Sequence, residues 1–483
     1  MQIAAIQRII GMLLILFSST LLVPIAISLY TADGALNAFL WALSLLLAAG
    51  LILWLPVRHR HHELRVREGF IVAFVIWITI SISGAVPLML AAHPHMTFTN
   101  AVFESTSALT TTGSTVLVGL DILPASILYY RQQLQLLGGM GIIVLAVAIL
   151  PMLGVGGMQL YRAEVPGPMK DAKLTPRITE TAKALWAIYV GLNVLCALSY
   201  WLAGMTPWDA ILHSFGTLST GGFSSHDASF AYFDSKSISL VGSLFMFLGG
   251  VNFSLHFLAW RHNSLKQYFI DPEFRTYLGI MVSIIVICVL MLMLYHTYSD
   301  PIAALVDSIF QTVSIMSCTG FTSAVFQNWP TFVPLLLIFS SFVGGCAGST
   351  SGGLKVIRVL LLFKQGMREI KLLIYPNAVM PVKIGQHVLP DRVVGAIWGF
   401  FAMYVVVFTV LLLGLMATGL DQVTAFSGLA ACINNMGPGL GKVSANFASI
   451  NPAAKWIYSL SMILGRLEIF TLVVLLTPAF WRK

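Results

Sequence analysis

Charged side chains are scarce in this chain of 483 residues. Asp, Glu, Lys and Arg make up 10% of the sequence, hydrophobic residues make up 58%, and the mean hydropathy is +0.87. A water-soluble protein could not hide so much apolar surface in one core, so the composition excludes a soluble globular protein. It predicts a membrane protein, and apolar stretches of about 20 residues, enough to cross a bilayer as helices, recur along the chain.

Cysteine is also scarce, and the residue patterns of common catalytic sites are missing. The five cysteines (Cys196, Cys288, Cys318, Cys346 and Cys432) lie far apart and form no CxxC or Cys/His spacing, which argues against disulfides and zinc. No HExxH, nucleophile elbow or pair of catalytic carboxylates occurs, so we expect the protein not to be an enzyme. An intramembrane enzyme acting on lipid or peptide is kept only as a distant alternative.

The basic residues are distributed unevenly along the chain. They concentrate after every second apolar stretch, and the other connections contain only Lys236, Lys442, Lys455 and Arg131. Because positive charge favours the cytoplasmic side of a membrane, this pattern predicts that both termini are cytoplasmic. The clustered residues are Arg58, Arg60, Arg65, Arg67, Arg162, Lys170, Lys173, Arg177, Lys183, Arg261, Lys266, Arg275, Arg358, Lys364, Arg368, Lys371, Lys383, Arg392, Arg482 and Lys483.

Four short glycine-containing segments, TTTGS, STGGF, SCTGF and NNMGP, recur along the sequence. Their glycines, Gly113, Gly222, Gly320 and Gly437, are spaced at roughly 100 residues, about the length of two membrane helices with their connections. Any one segment alone would fit an ordinary surface turn rich in Gly and Thr. Their fourfold recurrence instead favours a repeated structural unit.

The residues around the four glycines also match. Residues of the N-cap type lie at the same distance upstream of each glycine, at Asn100, Asp209, Asp307 and Thr424, and small residues recur downstream, at Gly139, Gly250, Gly345 and Gly465. We expect each unit to contain a spanning helix, a half-length helix from the cap residue to the glycine, an extended segment and a second spanning helix.

The predicted fold is an all-α polytopic membrane protein with about ten transmembrane helices. Two N-terminal helices and a basic loop are expected in residues 1–68, followed by four pore repeats in residues 69–180, 181–275, 276–388 and 389–483. Non-helical backbone at membrane depth persists only where protein or a water-filled cavity surrounds it. Four such breaks therefore predict a central pore.

Extended glycine segments have the chemistry that a potassium ion needs. Backbone carbonyl oxygens can replace its hydration shell, threonine hydroxyls can add ligands, and glycine keeps side chains out of the passage. Half-helices that end near the centre also direct the negative ends of their dipoles toward a cation. No anionic side chain is needed.

These segments resemble those of the Trk/Ktr/HKT superfamily of potassium transporters, and the resemblance covers essentially the whole chain. It is carried by TTTGS (residues 110–114), STGGFSSHD (219–227), CTGFT (318–322) and NNMGPGLG (434–441). Gly113 is similar to the potassium-selective type, since plant relatives that favour sodium often have serine there. The resemblance implies an ion-binding filter at Thr111, Thr112, Gly113, Thr220, Gly221, Gly222, Cys318, Thr319, Gly320, Asn435, Met436 and Gly437. In the last repeat, Asn435, Met436 and Pro438 depart from Thr-Gly-Phe, which implies fewer or weaker ion sites.

A glycine-rich segment interrupts the apolar stretch between residues 333 and 363. It contains five glycines, two serines and one threonine. At about 1 kcal/mol per glycine relative to alanine, a continuous helix is disfavoured, so we predict an intramembrane loop. Close helix packing through small residues is the alternative. The resemblance implies that the loop is a movable gate below the filter, formed by Gly344, Gly345, Cys346, Ala347, Gly348, Ser349, Thr350, Ser351, Gly352 and Gly353.

Arg466 lies inside the last apolar stretch, where a charge costs roughly 2.5–3.5 kcal/mol on insertion scales. It therefore needs a partner or a wet cavity. One hypothesis is a structural ion pair with Glu468 or with Glu104. The other, which the resemblance supports, places Arg466 beneath the filter as an electrostatic barrier that belongs to the gate. The two hypotheses are compatible.

The resemblance implies potassium uptake across the bacterial inner membrane, with K⁺ as the substrate and no cofactor bound by this chain. It also implies a homodimer and a cytosolic TrkA-type regulator that binds NAD(H) or ATP/ADP, which the basic cytoplasmic loops are expected to contact. No nucleic acid partner is expected. A sodium-permeable or sodium-coupled member of the same superfamily is the nearer alternative, and both passive passage and proton symport are compatible with these residues.

Overall fold

The computed structural model describes residues 3–59, 66–144, 178–385, 387–467 and 469–482. Several residues named above lie outside these ranges, so their predicted roles are not addressed by the structure. They are Arg60, Arg65, Arg162, Lys170, Lys173, Arg177, Glu468 and Lys483.

Helices form nearly all of the regular structure in the described residues. The N-terminal half contains α1 (Ile3–Thr20), α2 (Leu22–Thr31), α3 (Leu36–Trp54), α4 (Val66–Leu90), α5 (Phe98–Leu109), α6 (Ala125–Val144), α7 (Ile178–Leu202), α8 (Pro207–Leu218), α9 (Lys236–Gly249) and α10 (Phe253–Arg261). The C-terminal half contains α11 (Lys266–Ile270), α12 (Pro272–Leu294), α13 (Pro301–Met316), α14 (Val333–Val343), α15 (Val356–Ile374), α16 (Asp391–Ala417), α17 (Gln422–Ile433), α18 (Pro452–Arg466), α19 (Ile469–Leu476) and α20 (Pro478–Trp481).

Short elements complete the chain. Single 3₁₀ turns occur at Leu55–Val57, Leu120–Ile122, Ser229–Phe233, Phe326–Asn328 and Gly441–Val443. The strands β1 (Lys383–Ile384) and β2 (His387–Val388) pair in antiparallel register, with Lys383 opposite Val388. This small hairpin lies between α15 and α16.

Six segments of the described chain are individually long and apolar enough to cross a membrane: Ala4–Thr31, Leu36–Val57, Glu68–Leu90, Lys183–Leu202, Pro272–Leu294 and Asp391–Ala417. Two helix pairs are long and apolar enough to cross only when taken together, and both are bent: α9 with α10 at 96° and α18 with α19 at 112°. Helix α6 and the interrupted pair α14 and α15 complete a set close to the predicted ten. The predicted all-α membrane fold is confirmed.

The four half-length helices are α5, α8, α13 and α17, with 12, 12, 16 and 12 residues. Each is too short to span a bilayer, which needs about 20 residues. In α5, every residue from position 101 to position 109 is buried. Protein therefore surrounds these helices, as expected for helices that end within a membrane.

The predicted cap residues of the half-helices are wrong. The side chains that cap the four helices belong to Thr97, Thr206, Asp300 and Asp421. Asn100, Asp209 and Thr424 lie in the first turn, where their backbone N–H groups donate to the caps, and Asp307 lies within α13. The helices begin earlier than predicted. In α8 and α13, a proline at the first helical position favours the earlier start, because its fixed φ suits a helix and its missing N–H is not needed there.

Candidate ion-conduction site

Each half-helix ends in the same turn, which leads into one of four glycine loops. We define glycine loops 1 to 4 as residues 110–114, 219–223, 317–321 and 434–438. In loop 1, Thr112 N–H donates to Ser107 O (2.8 Å) and Thr111 N–H donates to Ala108 O (3.1 Å), which is the Schellman pattern. The left-handed residues at this position are Thr111 (φ 51°), Thr220 (51°), Cys318 (58°) and Asn435 (52°). The turn satisfies carbonyls of the last helical turn and redirects the chain.

The repeat glycines of these loops form a closed ring of backbone contacts. All four have a left-handed φ, between 72° for Gly222 and 103° for Gly437. From the position that a Cβ would occupy, the nearest atom is a carbonyl oxygen of another loop: Gly113 to Gly221 O (2.4 Å), Gly222 to Thr319 O (2.0 Å), Gly320 to Met436 O (1.9 Å) and Gly437 to Thr112 O (2.9 Å). Both the conformation and the space therefore require glycine, and the loops meet around one centre in chain order.

A cavity of about 340 Å³ opens onto this ring. All four repeat glycines line it, together with residues that follow the loops, such as His226 and Asp227. The cavity has room for a hydrated cation beside the backbone of the ring. The structure thus brings all four predicted filter segments together at the base of one cavity.

Glycine loop 4 differs in sequence from the others, and its side chains bind loop 1. Asn435 Nδ2 donates to Thr112 Oγ1 (2.9 Å) and to Met462 O (3.0 Å). In return, Ser114 Oγ donates to Gly437 O (2.8 Å). The amide in loop 4 therefore closes the ring between the first and last repeats.

The predicted break between α14 and α15 is present. Residues 344–355, here called the interrupted segment, are non-helical, and they lie against three of the half-helix ends. Thr350 Oγ1 donates to Leu218 O (2.9 Å) and Ser351 Oγ donates to Ser317 O (2.6 Å). A Cβ on Gly352 would lie 1.9 Å from Asn434 O. The segment therefore packs directly on the helix ends from which the glycine loops emerge.

The first part of the predicted gate lies elsewhere. Cys346 N–H donates to Gly250 O (2.8 Å), and Gly348 O accepts the N–H of Phe253 (3.0 Å). These contacts lie at the bend between α9 and α10. The interrupted segment thus connects that bend to the half-helix ends.

Arg466 joins the interrupted segment to glycine loop 1. Its side chain is buried, and Nη2 donates to Thr111 Oγ1 (2.6 Å) and to Thr350 O (3.0 Å). The predicted ion pair with Glu104 is wrong, because Glu104 pairs with Arg131 at 2.8 Å. Glu104 lies midway along α5, whereas Arg466 reaches the turn after its C-terminus. The other predicted partner, Glu468, lies outside the described residues.

Comparison with known proteins places this architecture in a family. Residues 35–483 match the family model of TrkH, described as a cation transport protein. The chain belongs to the TrkH family. The Trk system potassium uptake protein TrkH of Vibrio parahaemolyticus is 54% identical, with both chains covered completely. The Trk system potassium uptake protein TrkG of Escherichia coli K12 is 38% identical and covers 100% of this chain and 99% of its own length.

A solved structure has the same fold as this TrkH-family chain. The crystal structure of the potassium transporter TrkH from Vibrio parahaemolyticus matches with a TM-score of 0.93 and 52% identity, and the match covers 100% of both chains. The resemblance to the potassium transporter superfamily, stated from sequence motifs, is confirmed.

Polar residues of α6 that hold glycine loop 2 were missed by the sequence reasoning. Gln135 Nε2 donates to Gly221 O (2.5 Å), and Gln135 Oε1 accepts the N–H of Phe223 (3.2 Å). Gln132 Nε2 donates to Phe223 O (2.6 Å). The available signal was the run RQQLQ (residues 131–135) in an otherwise apolar span, because amides inside a membrane need partners.

Glu273 was also missed. It lies in the first turn of α12, is 2% exposed, and its Oε1 accepts Ala347 N–H (2.7 Å) and Ile357 N–H (3.3 Å). One carboxylate therefore holds the interrupted segment and the start of α15. An acidic residue at the start of a long apolar helix was the signal.

Proposed function

We propose that this TrkH-family chain is the pore-forming subunit of a potassium-uptake system, and that K⁺ crosses through the ring of glycine loops. The observation that carries this proposal is the closed ring itself, in which backbone oxygens from four repeats meet at the base of one cavity. The relatives at 38–54% identity are named Trk system potassium uptake proteins, which supports K⁺ as the transported ion.

In this proposal the ion is coordinated by backbone oxygens rather than by charged side chains. K⁺ would exchange its hydration shell for oxygens of the four loops, and the half-helix dipoles would favour the cation. The glycine at position 113 supports selectivity for potassium over sodium, since plant relatives that favour sodium often have serine there. The proposed coordinating residues are Thr111, Thr112, Gly113, Thr220, Gly221, Gly222, Cys318, Thr319, Gly320, Asn435, Met436 and Gly437.

We assign gating to residues 344–353 of the interrupted segment together with Arg466. Thr350, Ser351 and Gly352 contact the ends of α8, α13 and α17, and Arg466 links Thr350 to the end of α5. In this proposal the segment closes the path below the ring, and the positive charge of Arg466 there opposes a cation. Opening would require the segment to leave these four helix ends.

The proposed location is the bacterial inner membrane, with both termini in the cytoplasm. The support is the distribution of basic residues, which favours one side. Within the chain, the repeat boundaries proposed from sequence (69–180, 181–275, 276–388 and 389–483) each contain one half-helix and one glycine loop.

The proposed assembly is a homodimer that contacts a cytosolic TrkA-type regulator binding NAD(H) or ATP/ADP. The relatives are named as parts of a Trk system, which supports a system with further components. Basic residues of α15, such as Lys364 and the exposed Lys371, offer a positive surface for such a partner.

The function is tested by ion flux into liposomes containing the purified protein, with K⁺, Rb⁺, Na⁺ and Li⁺ offered separately, with and without the regulator. Empty liposomes provide the background. We expect K⁺ and Rb⁺ to enter faster than Na⁺ and Li⁺, and the regulator to change the rate. Equal flux of Na⁺ and K⁺ would favour the sodium-permeable alternative, and no flux in any regulator state would reopen the intramembrane enzyme.

A further inference from the structure

A buried ion pair lies beside the ring of glycine loops, and its arginine, Arg131, is one of the residues around the cavity. Arg131 of α6 contacts Glu104 of α5 at 2.8 Å (Nη2 to Oε1) and 2.9 Å (Nε to Oε1), and the side chains are 1% and 0% exposed. Glu104 also accepts Thr115 Oγ1 (2.9 Å) and Val116 N–H (2.9 Å), which follow glycine loop 1. Such a pair persists away from water only when both groups are fully hydrogen-bonded, as they are here.

The same arginine reaches the next repeat. Arg131 Nη1 donates to Ser224 O (3.2 Å), directly after glycine loop 2, and the guanidinium lies 4.2 Å from the centroid of the Phe223 ring. Its Nη2 donates to Thr115 Oγ1 (3.2 Å). The ion pair therefore bridges the segments that follow loops 1 and 2.

The corresponding position on the other half-helices is different. Glu104 lies nine residues before its repeat glycine, and the equivalent residues are His213, Gln311 and Gly428. His213 Nε2 lies 2.9 Å from Ser224 Oγ, and Gln311 Nε2 donates to Ala324 O (3.0 Å), so both remain within their own repeats. Among these four equivalent positions, the one on α5 alone carries a charged group whose partner reaches a second loop.

We propose that Glu104 and Arg131 form a positioning pair that sets the separation of glycine loops 1 and 2 and thereby the discrimination between K⁺ and Na⁺. This inference rests on the proposed role of the glycine loops as the ion path. The loops touch where Gly113 meets Gly221 O, so a change in the bridge behind them alters the spacing of backbone oxygens. Discrimination between cations depends on the number, spacing and field of those oxygens. The pair acts through the backbone and does not contact the ion.

The test compares ion selectivity in variants that remove the charges of the pair. Glu104→Gln removes the negative charge but keeps an acceptor, and we expect the Na⁺ to K⁺ flux ratio to rise about tenfold, since the loosened oxygens fit K⁺ less well. The double variant Glu104→Gln/Arg131→Gln leaves no unpaired buried charge. It should therefore be recovered in good yield and still show the raised ratio.

A matched control removes an ion pair far from the ring. Lys236→Met breaks the exposed contact between Lys236 Nζ and Asp300 Oδ2 (2.7 Å), and it should leave the flux ratio at the wild-type value. The proposal is overturned if the double variant folds with wild-type selectivity, whatever the yield of the single variant. Gly113→Ser distinguishes a failure of the filter assignment from a failure of the positioning role. If Gly113→Ser also leaves the flux ratio unchanged, the filter assignment fails. If Gly113→Ser shifts the ratio and the double variant does not, only the positioning role of Glu104 and Arg131 fails.

Discussion

Four residues at the base of the ring, Thr111, Thr220, Cys318 and Asn435, are left-handed although they are not glycine. That conformation costs an L-residue roughly 1–2 kcal/mol, and asparagine tolerates it best. Glycine would remove the strain, but it would also remove the side chains that join parts of the site. Thr111 binds Arg466, and Asn435 binds Thr112. At these positions the side-chain contacts outweigh the backbone preference.

The repeat glycines are subject to the opposite constraint. In Gly113→Ser, the new Cβ would lie 2.4 Å from Gly221 O, so loops 1 and 2 must separate. We expect the preference for K⁺ over Na⁺ to fall about tenfold, equivalent to about 1.4 kcal/mol, measured by flux of each ion into liposomes.

Gly34→Ser is the matched control for this prediction. Gly34 has a similar backbone conformation (φ 82°), but a Cβ there meets nothing within 4 Å. It should lose some stability and keep the wild-type flux ratio. A folded Gly113→Ser protein with unchanged selectivity would show that this glycine does not tune the choice of ion.

The surroundings of His226, which lines the cavity, lead us to expect that the thermal stability of the protein depends on pH. Its Nδ1 lies 2.5 Å from Asp121 Oδ1 and its Nε2 lies 3.3 Å from Asp209 Oδ1. Burial lowers the pKa of His226, but hydrogen bonds and charges of the two carboxylates outweigh burial and raise the pKa above its ordinary 6.5. The protonated form therefore stabilises the folded protein.

Because the folded-state pKa is raised, this stabilisation is complete below pH 6.5 and is lost as the pH rises through the folded-state value. We expect the difference in Tm between the wild type and His226→Gln to be largest at acidic pH and to shrink at alkaline pH. Melting curves over a pH series measure it, and a difference that is constant with pH would contradict the role of the charge.

At the scale of elements, the interrupted segment is held from two sides. Glu273 binds Ala347 N–H and Ile357 N–H from α12, while Thr350 and Ser351 bind the helix ends above. The contacts of Glu273 link the interrupted segment to the start of α12, which directly follows the connection from α10. A movement of that connection can therefore reach the proposed gate through one carboxylate.

Glu273→Ala tests this link. Each buried N–H group that loses its acceptor costs about 1–3 kcal/mol, so the closed arrangement should weaken. We expect K⁺ flux without the regulator to rise about tenfold. Glu369→Ala, at an exposed acidic residue of α15, is the control and should behave as the wild type. A Glu273→Ala protein that is folded and has the same K⁺ flux without the regulator as the wild type would exclude this role of Glu273.

Arg466 gives a second test of the same element. Arg466→Ala removes both the bond to Thr111 and the bond to Thr350, so flux in the absence of the regulator should increase. Arg466→Lys keeps the charge but not the planar group with several donors, and it should give an intermediate flux. If both variants show only a lower protein yield, with unchanged flux and gating, Arg466 has a structural role alone.

The sequence predicted some elements well and others poorly. The break after α14 was predictable because five glycines accumulate a large helix penalty. The 96° bend between α9 and α10 was missed, since Gly249 and Gly250 alone do not mark a break. Half-helix starts were misplaced because residues of the N-cap type also occur in first turns. The predicted pairing of Arg466 with Glu104 was wrong because the sequence does not show which face of α5 carries Glu104.

At the scale of the whole molecule, the repeats are equivalent in backbone and unequal in side chains. All four half-helices end in the same turn and present a left-handed glycine. The side chains at equivalent positions of the half-helices differ: α5 has the charged Glu104, whereas α17 has Gly428, and Tyr458 fills the space beside that glycine. Family membership could be predicted from the glycine motifs, since they are local in sequence. The contacts of these side chains could not be predicted, because each one joins distant parts of the chain.

The closing of the ring by Gly437 has a consequence for biosynthesis. Glycine loop 4 supplies Met436 O to Gly320 and receives Thr112 O at Gly437, so the ring stays open until this loop is in place. It is also the last of the four to leave the ribosome, and Arg466 follows it. A nascent chain in the membrane therefore lacks a complete ring until glycine loop 4 has been translated and has folded against glycine loops 1 and 3.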